Sequence, residues 1–508
     1  MANFLGIDVG TSGTKALVMN AKGKVLATAT AEHPIYSPHP GWSEQKPEEW
    51  WDSVRHATRA VVKKSKVKPA SIAALGLSGQ MHGLVITDGA GRPLRPSLIW
   101  NDQRTAPQAA AIEKKVGGRS RLIALVGNAA MTSFTLTKLL WVRQHEPRIY
   151  DRIRHLLLPK DYIRLKLTGE YIGEVSDMSG TLMLDQKQRT WSKQIISTFQ
   201  LDASILPPVV ESHEVTGRLT ETAAKALGLK PGVIVVGGGG DQPIGAVGNG
   251  VVRDGLVSAT MGTSGVVYTH SGKYRVDPQS RINTFCSCVA GEWCMFGCVL
   301  AAGGSFQWLR NTLGAAEVAE AKRKKVDPYE LLTAAAAEAP AGCEGVYWLP
   351  YLTGERTPHP DPNARAGWIG VNSRTGRNEL IRAVMEGATF AMGDVVDLMR
   401  ARGVKISQVR LSGGGARSAF WRQMQADIYG STCATINSAE GPAYGASLLA
   451  AVGAGEYRDI RQACAAAVKV VRTVKPNPRT KRLYRNLHDQ YDRLYPALAG
   501  EFQRMAKL

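Results

Sequence analysis

The chain opens with apolar residues that alternate with polar or small ones on both sides of a glycine-containing turn. Residues 4–19, FLGIDVGTSGTKALVM, predict two strands joined by the turn at residues 10–13. Residues 258–270, SATMGTSGVVYTH, repeat the arrangement around a second Gly-Thr-Ser-Gly turn at residues 262–265. Two copies of strand, identical turn and strand indicate two structurally related halves.

A third glycine-rich stretch lies between the two copies. Residues 235–248, VVGGGGDQPIGAVG, predict a short apolar strand, a run of glycines, and a helix that starts near Asp241. Glycine has no Cβ, so the backbone can approach a ligand closely here, and the acid that follows would point at that ligand. We place the domain boundary just after this acid, with domains at residues 1–245 and 246–508.

Helical periodicity dominates two further regions. Residues 105–200 are mostly helical in pattern, and the second half contains clear amphipathic segments. The tail predicts a closing helix that bends or ends near Pro496. The clearest predicted elements of the second half are a helix at 378–401, a strand at 409–412, a helix at 419–429 and a helix at 442–453.

Composition limits the class of protein. The chain has 508 residues, 44% of them hydrophobic and 21% charged, which predicts a globular protein of two domains. No apolar run approaches the roughly 20 residues that span a bilayer, and no basic leader precedes an apolar stretch, so we expect a cytoplasmic protein with no membrane partner. The net charge of +20 is compatible with a role in binding nucleic acid. The basic clusters lack interleaved aromatic residues, so a protein that handles small anions is favoured.

Four of the seven cysteines lie close together in sequence, at Cys286, Cys288, Cys294 and Cys298. Their spacing does not match the paired C-x2-C arrangement of structural zinc sites. The segment around them predicts two strands leading into a helix. Buried, reduced thiols are therefore favoured over a metal site.

The glycine turns and two acids carry the candidate chemistry. The sequence contains neither a P-loop nor G-x-G-x-x-G. Each turn, at 10–13, 262–265 and 413–415, could offer backbone N–H groups to phosphate oxygens, although any one alone is more often a plain tight turn. Asp8 precedes the first turn, so a divalent cation would have to separate its carboxylate from a phosphate. Asp241 could be a general base. The alternatives are that Asp8 caps its own turn and that Asp241 caps the following helix.

Eight motifs in this order resemble those of the FGGY carbohydrate kinases, and the similarity covers essentially the whole chain. Within the family, the resemblance is strongest to members that phosphorylate D-xylulose. The motifs are DVGTSG (8–13), GQMHG (79–83), WNDQR (100–104), PKDY (159–162), GGGD (238–241), MGTSG (261–265), LPYLTGER (349–356) and GGGARS (413–418).

The resemblance implies a fold and a reaction. The fold would be α/β, with two actin-like ATPase (ribonuclease H-like) domains whose mixed sheets are flanked by helices, and a cleft between them. The reaction would transfer the γ-phosphoryl group of ATP, with Mg²⁺, to D-xylulose and yield D-xylulose 5-phosphate. The N-terminal domain would bind the sugar and the C-terminal domain the nucleotide. A homodimer is a family-level expectation.

The same resemblance assigns roles by position. Asp241 would be the base on the O5 hydroxyl, and Asp8 would serve Mg²⁺ and the phosphates. Gln242 stands where these kinases more often have asparagine, and either amide can bond a sugar hydroxyl. Residues expected to bind the sugar are Met81 and His82, with Gln80, Trp100, Asp102 and Gln242 beside them. Residues expected to bind the phosphates and nucleotide are Thr11, Ser12, Gly13, Gly262, Thr263, Ser264, Gly413, Gly414 and Gly415.

Two alternatives stay open at this point. One is a kinase of the same family that acts on ribulose, gluconate or glycerol. The other is a non-catalytic actin-like protein that binds nucleotide or sugar without turnover. The presence of both Asp8 and Asp241 favours catalysis.

Overall fold

Each of the two alternating segments forms a β-hairpin, and each hairpin lies inside its own seven-stranded sheet. The structure is a computed structural model that describes residues 2–507. Helices pack against both sheets, so the expected α/β class with mixed sheets is confirmed.

The strands of the first half include the first sheet and several short pairs. They are β1 (Asn3–Val9), β2 (Gly13–Asn20), β3 (Val25–Glu32), β4 (Glu44–Gln45), β5 (Ile72–Gly79), β6 (Val85–Thr87), β7 (Ser97–Leu98), β8 (His155–Leu157), β9 (Gly173–Glu174), β10 (Leu184–Asp185), β11 (Thr190–Trp191), β12 (Val209–Val210), β13 (Val215–Arg218), β14 (Ile234–Val236) and β15 (Gly239–Gly240). Those of the second half are β16 (Leu256–Met261), β17 (Gly265–Ser271), β18 (Asn283–Cys286), β19 (Trp293–Val299), β20 (Tyr347–Leu349), β21 (Gly367–Ile369), β22 (Gln408–Gly413), β23 (Cys433–Ile436) and β24 (Val470–Val474).

Helices occur in both of the predicted halves of the chain. Those of the first half are α1 (Pro47–Ser65), α2 (Ala106–Val116), α3 (Arg119–Val126), α4 (Thr135–His145), α5 (Pro147–Tyr150), α6 (Pro159–Thr168), α7 (Val175–Met178), α8 (Lys193–Phe199), α9 (Glu221–Leu227) and α10 (Asp241–Gly248). Those of the second half are α11 (Ala302–Leu313), α12 (Ala315–Lys324), α13 (Pro328–Glu338), α14 (Arg377–Ala401), α15 (Ala419–Tyr429), α16 (Gly441–Gly453), α17 (Ile460–Ala467), α18 (Pro478–Tyr491) and α19 (Leu494–Met505). Short 3₁₀ turns lie at Pro69–Ser71, Ser179–Thr181, Ala203–Ile205, Cys343–Gly345 and Gly414–Ala416.

The two sheets share one topology, as the repeated turn predicted. The first runs β13-β14-β5-β1-β2-β3, with β15 continuing the line of β14 beside β5. The second runs β18-β19-β17-β16-β22-β23-β24. In each, the strand before the Gly-Thr-Ser-Gly turn pairs antiparallel with the strand after it and parallel with a later strand on its other side. Both turns therefore lie at the carboxyl edge of a parallel pair, where ligands of open α/β sheets commonly bind.

Helix α16 joins the two halves, although its sequence belongs to the second. It packs on the first sheet so closely that a Cβ at Gly6 or Gly76 would lie 1.9 or 2.1 Å from a carbonyl oxygen of α16. It also crosses α10, where a Cβ at Gly445 would lie 2.0 Å from the carbonyl oxygen of Ile244. Glycine permits both approaches because it has no Cβ. The helix that begins at Asp241 is thus held directly against the second half.

The helical tail breaks near Pro496, as predicted. Helix α18 ends at Tyr491 and α19 begins at Leu494, so the break precedes Pro496. Proline lacks a backbone N–H and fits the first turn of a helix, where that donor has no intrahelical partner. Pro496 therefore helps to start α19.

Within residues 2–507, none of the helices has the length and apolarity needed to cross a membrane.

Candidate active site

The sheet register brings the two candidate acids to one edge. Asp8 pairs with Ser78 across β1 and β5, and Ser78 pairs with Gly239 on β15. Asp241 follows β15 as the first residue of α10. The Ser78 hydroxyl donates a hydrogen bond to Asp8 Oδ1 at 2.7 Å. Both carboxylates therefore lie at the carboxyl ends of adjacent strands, on either side of β5.

Asp241 does not cap its helix. The N-cap position belongs to Gly240, whose extended backbone offers no side chain, and that alternative for Asp241 is wrong. Burial and, secondarily, the charge of the neighbouring Asp8 raise the pKa of the Asp241 carboxyl to about 7, against the opposing effect of hydrogen bonds from Gln242. A carboxylate whose pKa lies near neutrality is suited to accept a proton from a hydroxyl.

Asp8 has one oxygen available for a ligand. Burial raises the pKa of its carboxyl, against the opposing effects of the Ser78 hydrogen bond and the Lys15 charge. Among residues 2–507, its Oδ2 takes part in no hydrogen bond. Two partly buried carboxyl groups whose pKa values are both raised form an oxygen-donor set that a hard divalent cation stabilises in its charged form. The residues present therefore fit Mg²⁺ at Asp8, held directly or through water.

The first glycine turn is held from behind by groups that sequence reasoning missed. The Gln45 side-chain amide donates to the Thr11 carbonyl at 2.7 Å, and His33 Nε2 donates to the Gly10 carbonyl at 3.0 Å. The Trp100 indole donates to Thr11 Oγ1 at 2.9 Å. Ser12 stays exposed at the tip. Neither Gln45 nor His33 lies in a glycine motif, so nothing in the local pattern marked them.

The second and third turns lie side by side. Met261 pairs with Gly413, and a Cβ at Gly413, whose φ is +78°, would lie 2.4 Å from the Met261 carbonyl oxygen. The second turn is anchored to the start of α11, whose Gly303 and Gly304 amides donate to carbonyls of the turn. Gly262, Thr263, Ser264, Gly413 and Gly414 are exposed, whereas Gly415 is buried. The structure thus brings together the residues expected to bind the nucleotide phosphates.

His82 lies in a buried pocket beside Met81. Its φ of +70° is unusual for a residue with a side chain, and its Nδ1 donates to the Gly180 carbonyl at 2.9 Å. Burial lowers the pKa of the imidazole to about 3, so the ring is neutral at physiological pH. With Nδ1–H committed to a carbonyl, Nε2 carries the lone pair. Within the described chain Nε2 has no partner, so it can accept a hydrogen bond from a sugar hydroxyl.

Lys138 fixes the backbone of His82. It is fully buried, and its ammonium donates to the carbonyls of His82 and Ser133 at 2.9 and 2.6 Å. Burial lowers the pKa of this lysine to about 7. The lysine therefore helps to hold the strained His82 conformation.

The remaining candidates for the sugar site differ in how far their side chains are exposed to solvent. Asp102 is fully buried, and its carboxylate accepts from the Ser43 amide at 2.7 Å and from the Arg104 guanidinium at 2.8 to 3.0 Å. Asp102 holds Arg104, whose guanidinium carbon lies 3.5 Å from the Trp42 ring centroid, and its contact with the sugar stays a prediction. Gln80 is also buried behind the first turn, with its Oε1 unpartnered. Trp100 and Gln242 are partly exposed.

Comparisons with known proteins agree with this geometry. Residues 3–248 match the N-terminal domain of the FGGY family of carbohydrate kinases, and residues 257–454 match the C-terminal domain. The chain belongs to the FGGY family of carbohydrate kinases. The fold expected from the resemblance and the assignment as a carbohydrate kinase are thereby confirmed.

Individual FGGY relatives cover nearly the full length. The xylulose kinase of Escherichia coli (strain K12) is 40% identical over 458 residues, which is 90% of this chain and 91% of that protein. The xylulose kinase of Bacillus subtilis (strain 168) is 35% identical over 495 residues, 97% of each. The crystal structure of a "xyloylose kinase" from Brucella ovis has a TM-score of 0.90 and 35% identity, covering 98% of this chain and 99% of that one.

In this FGGY kinase, a buried charge cluster supports the glycine run before Asp241. The Lys160 ammonium lies 2.7 Å from Asp161, 3.3 Å from Asp177 and 3.4 Å from Glu174, and every side chain is fully buried. Arg164, ion-paired to Asp161, donates to the Gly237 carbonyl. The cluster consists of Lys160, Asp161, Arg164, Glu174 and Asp177. Sequence reasoning found its PKDY motif only by resemblance, because buried charges leave no periodic signal.

The cysteines are unpaired thiols, as expected. Cys286, Cys288 and Cys294 are buried and Cys298 is partly buried. Burial raises the pKa of Cys286 to about 11 and that of Cys294 to about 12, which makes both thiols unreactive at neutral pH.

Proposed function

We propose that this FGGY kinase is a xylulokinase, which transfers the γ-phosphoryl group of ATP to the O5 hydroxyl of D-xylulose. The observation that carries the proposal is Asp241, a carboxylate with a pKa of about 7 beside Asp8 at the sheet edge between the sugar pocket and the phosphate turns. The substrate assignment is supported by the full-length similarity to xylulose kinases. D-xylulose 5-phosphate and ADP are the products.

Each residue of the site has its own role in phosphoryl transfer. The Asp241 carboxylate takes the O5 proton as the O5–P bond forms and the bond from the γ-phosphorus to the β-bridging oxygen breaks. His82 Nε2 accepts a hydrogen bond from a sugar hydroxyl, Met81 forms an apolar wall, and Gln242 lies next to the base. When bound, Mg²⁺ neutralises phosphate charge close to Asp8. Trp100 supports the first turn from the sugar side.

The exposed turns hold the nucleotide. Backbone N–H groups of Thr11, Ser12 and Gly13 face the phosphates from the N-terminal domain, and those of Gly262, Thr263 and Ser264 face them from the C-terminal domain. Gly413, Gly414 and Gly415 lie along the adenosine. The domain boundary belongs at residues 245–246, and we further propose that the enzyme acts in the cytoplasm as a homodimer.

A coupled ADP-release assay over D-xylulose, D-ribulose, D-gluconate and glycerol tests the substrate. We expect kcat/KM to be highest for D-xylulose, by about 10²-fold or more, because a site built to bond particular hydroxyls rejects analogues that lack them. A higher value for another sugar would make the chain a different kinase of this family. ATP binding without sugar-dependent ADP release would favour the non-catalytic alternative.

A further inference from the structure

The motif LPYLTGER, residues 349–356, takes no part in the proposed proton and phosphoryl transfer. Its C-terminal end lies beside the second phosphate turn. Leu300 N donates to Glu355 Oε1 at 2.9 Å, and Cys298 N donates to Thr357 Oγ1 at 3.3 Å. Val299, between these two amides, pairs with Gly265, the last residue of the turn. The segment 355–357 is therefore fixed to the strand end next to the turn at 262–264.

The Arg356 side chain reaches from this segment to the other domain. Its guanidinium carbon lies 5.9 Å from the ring centroid of Trp100, whose indole bonds Thr11 of the first turn. Burial is the main cause that lowers the pKa of His82, and the Arg356 charge adds to it; the same charge opposes the burial that raises the pKa of Cys298. Cys298 in turn is close enough to Asp241 for that charge to raise its pKa. Arg356 thus lies among the first turn, the second turn, the candidate base and the sugar pocket.

Arg356 has no partner for its charge. Among residues 2–507 its guanidinium makes no hydrogen bond, and no carboxylate oxygen lies within 4.0 Å of it. Its neighbour Glu355 is nearly fully buried, and Oε1 of its carboxylate accepts hydrogen bonds from backbone amides. Two arginines of the same domain, in contrast, have carboxylate partners: Arg382 pairs with Glu386 at 2.7 Å and Arg281 with Asp277 at 2.9 Å.

A partly buried, unpaired cation between two phosphate turns is best satisfied by an anion. D-xylulose is neutral, so among the reactants only the phosphate groups can supply the negative charge. The γ-phosphoryl group is the one that moves from the nucleotide turns toward the sugar pocket. Arg356 lies between these two places, and a guanidinium offers two parallel donors that match two phosphoryl oxygens.

We propose that Arg356 binds the transferring phosphoryl group from the sugar side of the cleft and stays bound to the phosphate of the sugar product. This role rests on the proposed kinase function. The guanidinium donates to two non-bridging oxygens, while the proton of the sugar hydroxyl goes to Asp241. Its contribution is largest in the transition state, where charge spreads over those oxygens.

The test compares R356Q, R356K and wild type in steady-state phosphorylation of D-xylulose. We expect kcat of R356Q to fall by about 10²- to 10³-fold, with KM for sugar and ATP changed less than about threefold, because the lost interaction forms in the transition state. R356K should retain part of the rate, since it keeps the charge but loses the two-pronged geometry. Slow hydrolysis of ATP without sugar should fall in parallel, and product inhibition by D-xylulose 5-phosphate should weaken.

The matched control is R374Q. Arg374 is exposed in the same domain and pairs with Glu344 at the surface, so this variant should behave as wild type. Thermal unfolding of all variants separates loss of fold from loss of chemistry. An R356Q enzyme with unchanged kcat would overturn the proposal, and so would one whose sugar KM rises while ATP hydrolysis is unaffected, which would make Arg356 a sugar-binding residue. Absence of wild-type turnover on D-xylulose would instead overturn the proposed substrate, and the comparison would then use the sugar that the panel identifies.

Discussion

Asp241 shows how one carboxyl group can be prepared for catalysis at a cost in stability. Burial and the nearby Asp8 both disfavour its charged form, which places its pKa at about 7, above the value of about 3.9 for an unfolded aspartate. A folded-state pKa above the unfolded value means that folding favours the protonated carboxyl. The charged base that catalysis requires therefore destabilises the fold, and this effect appears as the pH rises from about 4 through 7.

The variant D241N tests both consequences. Activity should fall by about 10³-fold, because the general base is lost. The wild-type kcat/KM should fall about tenfold per pH unit below a pKa near 7, and the variant should lack this acid limb. The unfolding midpoint of D241N should exceed that of wild type at pH 8, and the two should converge near pH 4, where both side chains are neutral. Wild-type kcat in D241N, or a higher stability that persists at pH 4, would contradict this account.

At the scale of elements, the glycine run before α10 has a shape that only glycine allows. Gly238 has a φ of +75°, and a Cβ there would lie 2.0 Å from the carbonyl oxygen of Leu77 on β5. The run is also held by the Gly238 amide, which donates to the Ser212 carbonyl at 2.8 Å. Any displacement of this segment moves Asp241, three residues later. A backbone change that never touches the substrate should therefore affect the chemistry.

The variant G238A should lose at least about tenfold in kcat and unfold at lower temperature, because the added methyl group pushes the run away from β5. The matched control is G232A in the turn before β14. Gly232 has a similar φ of +83°, but a Cβ there meets nothing within 4 Å. G232A should cost only the strain of a left-handed residue, about 1 kcal/mol, and keep its kcat. Equal kcat values for the two variants would show that the contact with β5 does not position Asp241.

The same elements show what the sequence could and could not predict. Hydrophobic periodicity, helix capping and the positions of glycines are local properties of the sequence. They predicted the two hairpins, the turns at 10–13 and 262–265, and helices α14 and α15. Asp8 and Asp241 were predicted as candidates because each adjoins a glycine turn. The sequence did not single out Arg356, Gln45 or Lys138 as candidates, because their importance comes from contacts with residues far along the chain. The burial of Asp102 was not predicted for the same reason, since its partner Ser43 lies on a different segment.

At the scale of the molecule, two of the contacts between the halves differ in their chemistry. Helices α10 and α16 cross through glycines behind the candidate base. On the other side, the helical region of the first half packs on the edge of the second sheet, where Asn128 substitutes for a neighbouring strand. Its side-chain amide donates to the Thr284 carbonyl at 2.9 Å and accepts from the Thr284 amide at 3.0 Å. The next residue on β18, Phe285, contacts the His82 ring at 5.9 Å between centroids. The contact between halves is therefore connected to His82, which we propose to bind the sugar.

The variant N128A should loosen this connection. It leaves the amide and carbonyl of Thr284 unpaired in a buried setting, which costs about 1–3 kcal/mol and should lower the unfolding midpoint. Because β18 then no longer holds Phe285 against His82, KM for the sugar should rise by about tenfold while KM for ATP stays within about twofold. N378A is the control, since Asn378 bonds Glu338 at the surface within one domain and should leave both constants unchanged. Parallel increases in both KM values would indicate a general loss of order, and an unchanged sugar KM would show that the edge contact and the sugar pocket are independent.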